Sequence, residues 1–282
     1  MWIQWAATIG VLLIVFLRIA GIYGSYRWQS DTDKLRTKLT DGQILINPKI
    51  YDPREIEGLP VPVQQFFRTV LKDGQAIVAA VKLSQQGQFN MNEMEDKWNK
   101  FTATQVVTTQ RLGFDWDARI QMALGLNAFV HDTYALGEGN LHASLLGLFT
   151  LADMRNTPEL NQGELLRFLA EAVWYPTALL PSQGMHWEAI NDNSARATFS
   201  DGATTVSLAF KFNSEGAIAK VRAEARYRDK LTAMPWSGIF GEYSVRSGML
   251  IPLYGEVGWE HPEGTRLYFK GRITEISYEF AS

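Results

Sequence analysis

The sequence contains no cysteine. That excludes disulfides, iron–sulfur clusters, thiolate catalysis and Cys-ligated zinc. It leaves the compartment open, because reducing and oxidising compartments both accept a chain without thiols. Histidine is scarce: His131, His142, His186 and His261 are the four, with no i, i+4 pair among them, so no metal site is expected. A surplus of charge is missing too, with 27 Lys and Arg against 30 Asp and Glu for a net charge of −3. Non-specific nucleic-acid binding needs a basic excess, so no nucleic-acid partner is expected. The chain has no GxGxxG after a strand pattern, no P-loop and no GxSxG elbow. No cofactor is therefore expected, and Gly137-Glu138-Gly139 reads as a turn or bulge.

What the chain has in excess is aromatic: 9 Trp, 10 Tyr and 15 Phe in 282 residues. With 46% hydrophobic and 20% charged residues it has the composition of a folded protein. The length suits one or two domains, or one large β domain.

Residues 2–17 read WIQWAATIGVLLIVFL, and IAGIYGSY follows Arg18. About 20 residues at 1.5 Å each cross a hydrocarbon core. Trp2, Trp5, Tyr23, Tyr26 and Trp28 sit near the two ends, as interfacial rings do. The expectation is a single-pass anchor over 1–26 in the cell membrane. A cleaved signal and a buried N-terminal helix are the alternatives; no Lys or Arg precedes the run and Ile22-Tyr23-Gly24 matches a cleavage site poorly. Arg18, Arg27, Lys34, Arg36 and Lys38 follow it, which leans the main domain to the cytoplasmic side.

Residues 27–58 read as stalk and linker: a polar helix to Asp41-Gly42, then a loop holding Pro48 and Pro53. A single β-rich domain is expected over 59–282. It opens with a short helix from Pro62 to Leu71, apolar at Val63, Phe66, Phe67 and Val70. From residue 77 the period is two. Phe114, Trp116, Ala118, Ile120 and Met122 alternate with Asp115, Asp117, Arg119 and Gln121, the pattern of a half-buried strand. Asp132 interrupts the apolar face of 126–136. Asp201-Gly202 and Ser214-Glu215-Gly216 mark hairpin turns in the second half. Ten or eleven strands result, joined by short turns and therefore antiparallel. One helix interrupts them, from Thr157-Pro158 to about 173, with Leu165, Phe168, Leu169, Ala172 and Val173 as its apolar stripe and Pro176 as its stop. The fold class is mainly β (β-rich α+β): a large curved antiparallel sheet wrapped around one central helix, with an N-terminal transmembrane helix.

GELLRFLAEAVWYPTALLPS at 163–182 resembles the central motif of a bacterial domain-of-unknown-function family. FDWDARIQM at 114–122, DTYALGEGNLHASLLG at 132–147 and GMLIPLYGEVGW at 248–259 extend the resemblance over most of the chain from Leu59 onward. It implies no activity. The strand pattern is also similar to half-barrel lipoprotein carriers, in which a curved sheet around a helix holds lipid.

Glu164, Arg167 and Glu171 form a row along the central helix. The row is a solvated ladder if it faces water, and a head-group or acid–base site if the sheet covers it. The catalytic candidates are Glu164, Arg167, Glu171, Asp132 and His186. Asp115 and Asp117 read as an exposed strand face. Lys220, Arg222, Arg226 and Arg228 read as a basic stripe. Trp174 and Tyr175, in the last helical turn before Pro176, read as the mouth of an apolar cavity with Arg167 near a polar ligand end. The ligand-binding candidates are Trp174, Tyr175, Arg167, Trp116, Trp187 and Trp259. Three functions stay open: a membrane-anchored binding module for a lipid or other apolar ligand, a membrane scaffold with a filled core, and a hydrolase-like enzyme.

Overall fold

A computed structural model describes residues 1–41, 47–91, 96–123 and 125–281, less the side chains at residues 3, 6, 7, 10, 11, 13, 14, 16 and 17. Thirteen strands lie among them. Six come first: β1 (Val78–Asn90), β2 (Trp98–Thr108), β3 (Gly113–Ala123), β4 (Leu126–Ala135), β5 (Glu138–Leu145) and β6 (Phe149–Arg155). Seven follow: β7 (His186–Asn191), β8 (Ser194–Asp201), β9 (Thr204–Phe212), β10 (Ile218–Tyr227), β11 (Ala233–Arg246), β12 (Met249–His261) and β13 (Gly264–Phe280). Ten or eleven were expected. β5 and β6 are the additional pair, and β6 is exposed at most positions, so it shows no alternation to read.

All thirteen strands form one antiparallel sheet in the order β6-β5-β4-β3-β2-β1-β13-β12-β11-β10-β9-β8-β7. Each half is a meander. The first strand zips to the last, with Val81 opposite Tyr278 and Leu83 opposite Ile276. β6 and β7 are left as open edges, so the sheet does not close.

The chain between those edges forms α3 (Pro158–Glu171). Thr157 caps it by accepting from the Leu160 N–H, and Pro158 occupies the first turn, where a missing N–H costs nothing. Leu165, Leu166, Phe168 and Leu169 are buried. A 3-10 turn over Ala172–Trp174 ends the helix slightly before the expected residue 173. α3 packs against β4 and β5 on one side and β9 and β10 on the other. β4 and β10 are seven strand spacings apart in the sheet, about 34 Å if it were flat. The 14 residues of α3 span only about 21 Å. The sheet therefore bends around the helix. α2 (Val61–Val70) buries Val63, Phe66, Phe67 and Val70 against β8 and β12, beside Trp187.

α1 (Trp2–Asp41) is one continuous helix of 40 residues, and the expected stop at Gly42 lies outside the described residues. Among the described residues no helix is long and apolar enough to cross a membrane. Much of the 2–17 run falls on side chains outside the description. The second half of α1 is not a free stalk. It docks on the outer face of the sheet, against β2 and β3. Gly24 makes the entry possible: a Cβ there would lie 2.0 Å from the Leu146 carbonyl oxygen. Trp28 Nε1 donates to Asp117 at 2.8 Å, Thr32 Oγ1 lies 2.7 Å from His131 Nε2, and Arg36 Nε donates to Asp115 at 2.8 Å. Asp115 and Asp117 are accordingly buried, against the expectation of an exposed face, because α1 covers them. Burial holds His131 well below its usual range, at about 4, and pushes Asp115 up to about 6 despite Arg36.

Candidate functional site

The inner face of the sheet and α3 line a half-open cavity of about 490 Å³. Its apolar wall includes Trp116, Trp174, Trp236, Trp259, Phe240 and Phe269. Its polar end gathers Asp132, Glu164, Arg167, Glu171 and Arg226. The volume lies inside the range of about 300–1,000 Å³ typical of small-molecule pockets.

Each polar group arrives by a definite route. Asp132 faces inward because it shares the face of Ala128, Val130 and Tyr134 on β4. Glu164, Arg167 and Glu171 are carried on one side of α3. Arg226 breaks the period of two. The pairing of β10 with β11 slips between Ala223 and Arg226, and that irregularity turns Arg226 inward and Ala225 outward. The expected basic stripe is thus divided. Lys220 and Arg222 bind Glu260 on the sheet surface, at 3.0 and 2.7 Å, while Arg226 is buried in the cavity wall.

Arg167 is paired with two carboxylates. It reaches Asp132 at 2.5 Å and Glu171 at 2.8 Å, and its guanidinium lies over Phe114 and Trp116 at 4.9 and 5.1 Å. Glu171 also accepts from Gln105 at 2.6 Å. Arg226 is held more loosely. It gives a bond of 3.1 Å to the Tyr268 hydroxyl, stands over Trp236 at 5.0 Å, and comes only within 3.8 Å of Glu164. Arg226 Nε and Trp174 Nε1 are buried donors with no partner among the described residues. Glu164 Oε2 and Asp132 Oδ1 are buried acceptors in the same condition.

The row on α3 is therefore not a solvated ladder. Burial, then repulsion from Asp132, pushes Glu164 up to about 8, and the two arginines only partly offset this. A carboxyl raised in the folded state stabilises it while protonated, fully below about 4.5, and loses that contribution as pH rises to about 8. The contribution of Glu164 to wild-type stability is thus expected to fall by on the order of a few kcal/mol across that window, and Glu164→Gln to flatten the slope. Urea unfolding between pH 7.5 and 8.5 checks this clear of His131 and Asp115. Equal slopes in both proteins would show that Glu164 is solvated.

Of the expected ligand-binding residues, Trp174, Arg167, Trp116 and Trp259 line the cavity. Tyr175 does not: it is fully buried beside Phe168, with its hydroxyl on the Phe168 carbonyl at 3.2 Å, because the 3-10 turn rotates it away from Trp174. Trp187 does not either; it packs on Phe67 and Phe210 and donates to the Leu179 carbonyl at 3.0 Å. Of the acid–base candidates, Asp132, Glu164, Arg167 and Glu171 converge, whereas His186 is exposed on the edge strand β7. Arg226 and Tyr268 were missed. Only the register slip marks Arg226, and alternation alone hides it.

Residues 57–278 match the model of the Family of unknown function (DUF6920). The chain belongs to that family. No curated protein matches it. Among solved structures it is similar to the crystal structure of LolA superfamily protein NE2245 from Nitrosomonas europaea, at 8% identity and a TM-score of 0.43, over 77% of this chain and 92% of that one. The likeness is loose and transfers no function.

Proposed function

We propose that the protein binds a lipid or other apolar ligand in the cavity between α3 and the sheet. The observation that carries this is the cavity of about 490 Å³, walled by aromatic rings and holding two buried donors with no partner among the described residues. A scaffold with a filled core has no use for such a space. Trp174 is the ring to test. Trp174→Ala is expected to weaken binding of a fluorescent fatty-acid probe by about tenfold, while Trp174→Phe retains most of the affinity. Titration of the full chain checks it, and mass spectrometry of organic extracts of the purified protein identifies a co-purifying ligand. Equal probe binding by wild type and Trp174→Ala would overturn the reading.

Membrane anchoring through the first half of α1 is part of the same proposal, with the basic flank placing the main domain on the cytoplasmic side. Its support is the row Trp2, Trp5, Ile9, Leu12, Ile19 and Ile22, all exposed. A full chain that stays soluble without detergent would remove this part. A hydrolase-like enzyme is the second reading, favoured by the convergence of Asp132, Glu164, Arg167 and Glu171 in one cavity. It requires that an extracted ligand be converted on incubation with the protein.

A further inference from the structure

We propose that the end of the sheet where β1 and β10 finish rests on a lipid bilayer, so that the cavity opens onto the membrane and takes its apolar ligand directly from it. This rests on the readings of the cavity as an apolar-ligand site and of the first half of α1 as an anchor. Topology fixes which turns share an end. Neighbouring strands are antiparallel, so the β3–β4, β5–β6, β10–β11 and β12–β13 turns leave the sheet where β1 and β10 finish. α1 leaves by the same end. Its contacts run along β3: Arg36 on Asp115, Trp28 on Asp117, and Arg119 over the Trp28 ring at 5.7 Å. Gly24 then lies against Leu146 and Gly147, in the β5–β6 turn. Residues 2–23 continue the same helix beyond that turn, for about 33 Å at 1.5 Å per residue. Ile19, Ile22 and Tyr23 on this stretch are more than half exposed.

The cavity opens there too. Four of its lining residues are exposed: Met91, Met154, Tyr227 and Arg228. Met91 follows the last residue of β1, Tyr227 and Arg228 stand at the end of β10, and Met154 lies on the edge strand β6. The β10–β11 turn beside this mouth is ordered. Asp229 accepts the backbone N–H of Leu231 and of Thr232, both at 2.8 Å, and the Arg228 N–H donates to the Thr232 carbonyl at 2.9 Å. The turn so held carries Leu231 93% exposed, with Lys230 next to it. On the other arm Phe149, also exposed, begins β6 at the same end. An ordered turn that holds out a leucine beside a cation suits the headgroup region: the apolar side chain reaches the acyl boundary and the cation meets anionic lipid. Loading from there spares the ligand's apolar chain a passage through water.

The absence of cysteine allows single thiols to be placed and labelled. In the full chain, Leu231→Cys, Phe149→Cys and Leu136→Cys each carry an environment-sensitive fluorophore. Leu136 is the control, exposed like Leu231 but in the β4–β5 turn at the opposite end. The proteins are reconstituted into vesicles of phosphatidylcholine and phosphatidylglycerol, with or without a nitroxide on the lipid acyl chain. Labels at positions 231 and 149 are expected to shift to the blue and to lose most of their emission to the nitroxide lipid, and the label at 136 to do neither. Leu231→Asp is expected to slow uptake of a fluorescent fatty acid already dissolved in the bilayer by about tenfold. Its equilibrium affinity should be unchanged, because Leu231 does not line the cavity. A chain that floats with the vesicles and binds the fatty acid, but leaves position 231 unquenched or quenches all three positions alike, overturns the membrane-facing mouth and leaves both earlier readings standing. Equal uptake rates in wild type and Leu231→Asp overturn loading from the bilayer. A chain that does not float overturns the anchor, one that binds no fatty acid overturns the cavity reading, and this proposal falls with either.

Discussion

Arg167→Leu is expected to lower the unfolding free energy by about 3–5 kcal/mol, the range for removing one partner of a buried ion pair. The side chain is mostly buried and fixes three elements at once: Asp132 on β4, Glu171 on α3 and, through Glu171, Gln105 on β2. Leucine has similar bulk, so the loss is electrostatic, with two carboxylates left in a cavity wall without their cation. Arg167 stays charged at every accessible pH. The loss is therefore expected to be fully present at neutral pH. The combined variant Arg167→Met, Asp132→Asn, Glu171→Gln should recover most of the loss, because no unpaired charge remains buried. Denaturant unfolding of the two proteins at pH 7 checks this. A cost below about 1 kcal/mol for Arg167→Leu, the worth of an exposed pair, would mean that water reaches the cluster.

Much of this architecture was legible from the alternation of side chains. Phe114, Trp116, Ala118 and Ile120 point into the core as their period demands. The turn after Asp201 pairs β8 with β9, with Asp201 opposite Thr204. The cavity beside Trp174 was legible for a different reason. An apolar stripe that stops at a proline leaves large rings at a helix end with a gap to fill. Alternation fails wherever the register slips or a third layer arrives. A slip turns Arg226 inward, and no composition signal precedes it. The third layer is α1, which reaches Asp115 and Asp117 from 79 to 89 positions away in the chain and buries a face that reads as exposed. Tyr175 fails at shorter range. Its identity suits a cavity mouth, but the tight turn after Ala172 directs it into the core instead.

Leu169→Ala is expected to cost about 2–5 kcal/mol, the transfer energy of the lost atoms plus the hole they leave. Leu169 has no exposed surface and belongs to the central core cluster with Leu165 and Phe168. What makes the position sensitive is the place of α3 in the chain. The helix joins β6 to β7, the two open edges, and packs on both arms of the sheet, so it bridges surfaces that no strand pairing connects. Loosening it weakens the bend of the whole sheet and with it the cavity. The midpoint of denaturant unfolding is therefore expected to fall with an unchanged slope, as for one cooperative unit. A reduced slope would show the two arms unfolding separately. Leu151→Ala, on the exposed edge strand β6, is the control and is expected to stay within about 0.5 kcal/mol. If Leu169→Ala also falls inside that range, α3 is not the element that holds the arms together, and the cavity needs another wall.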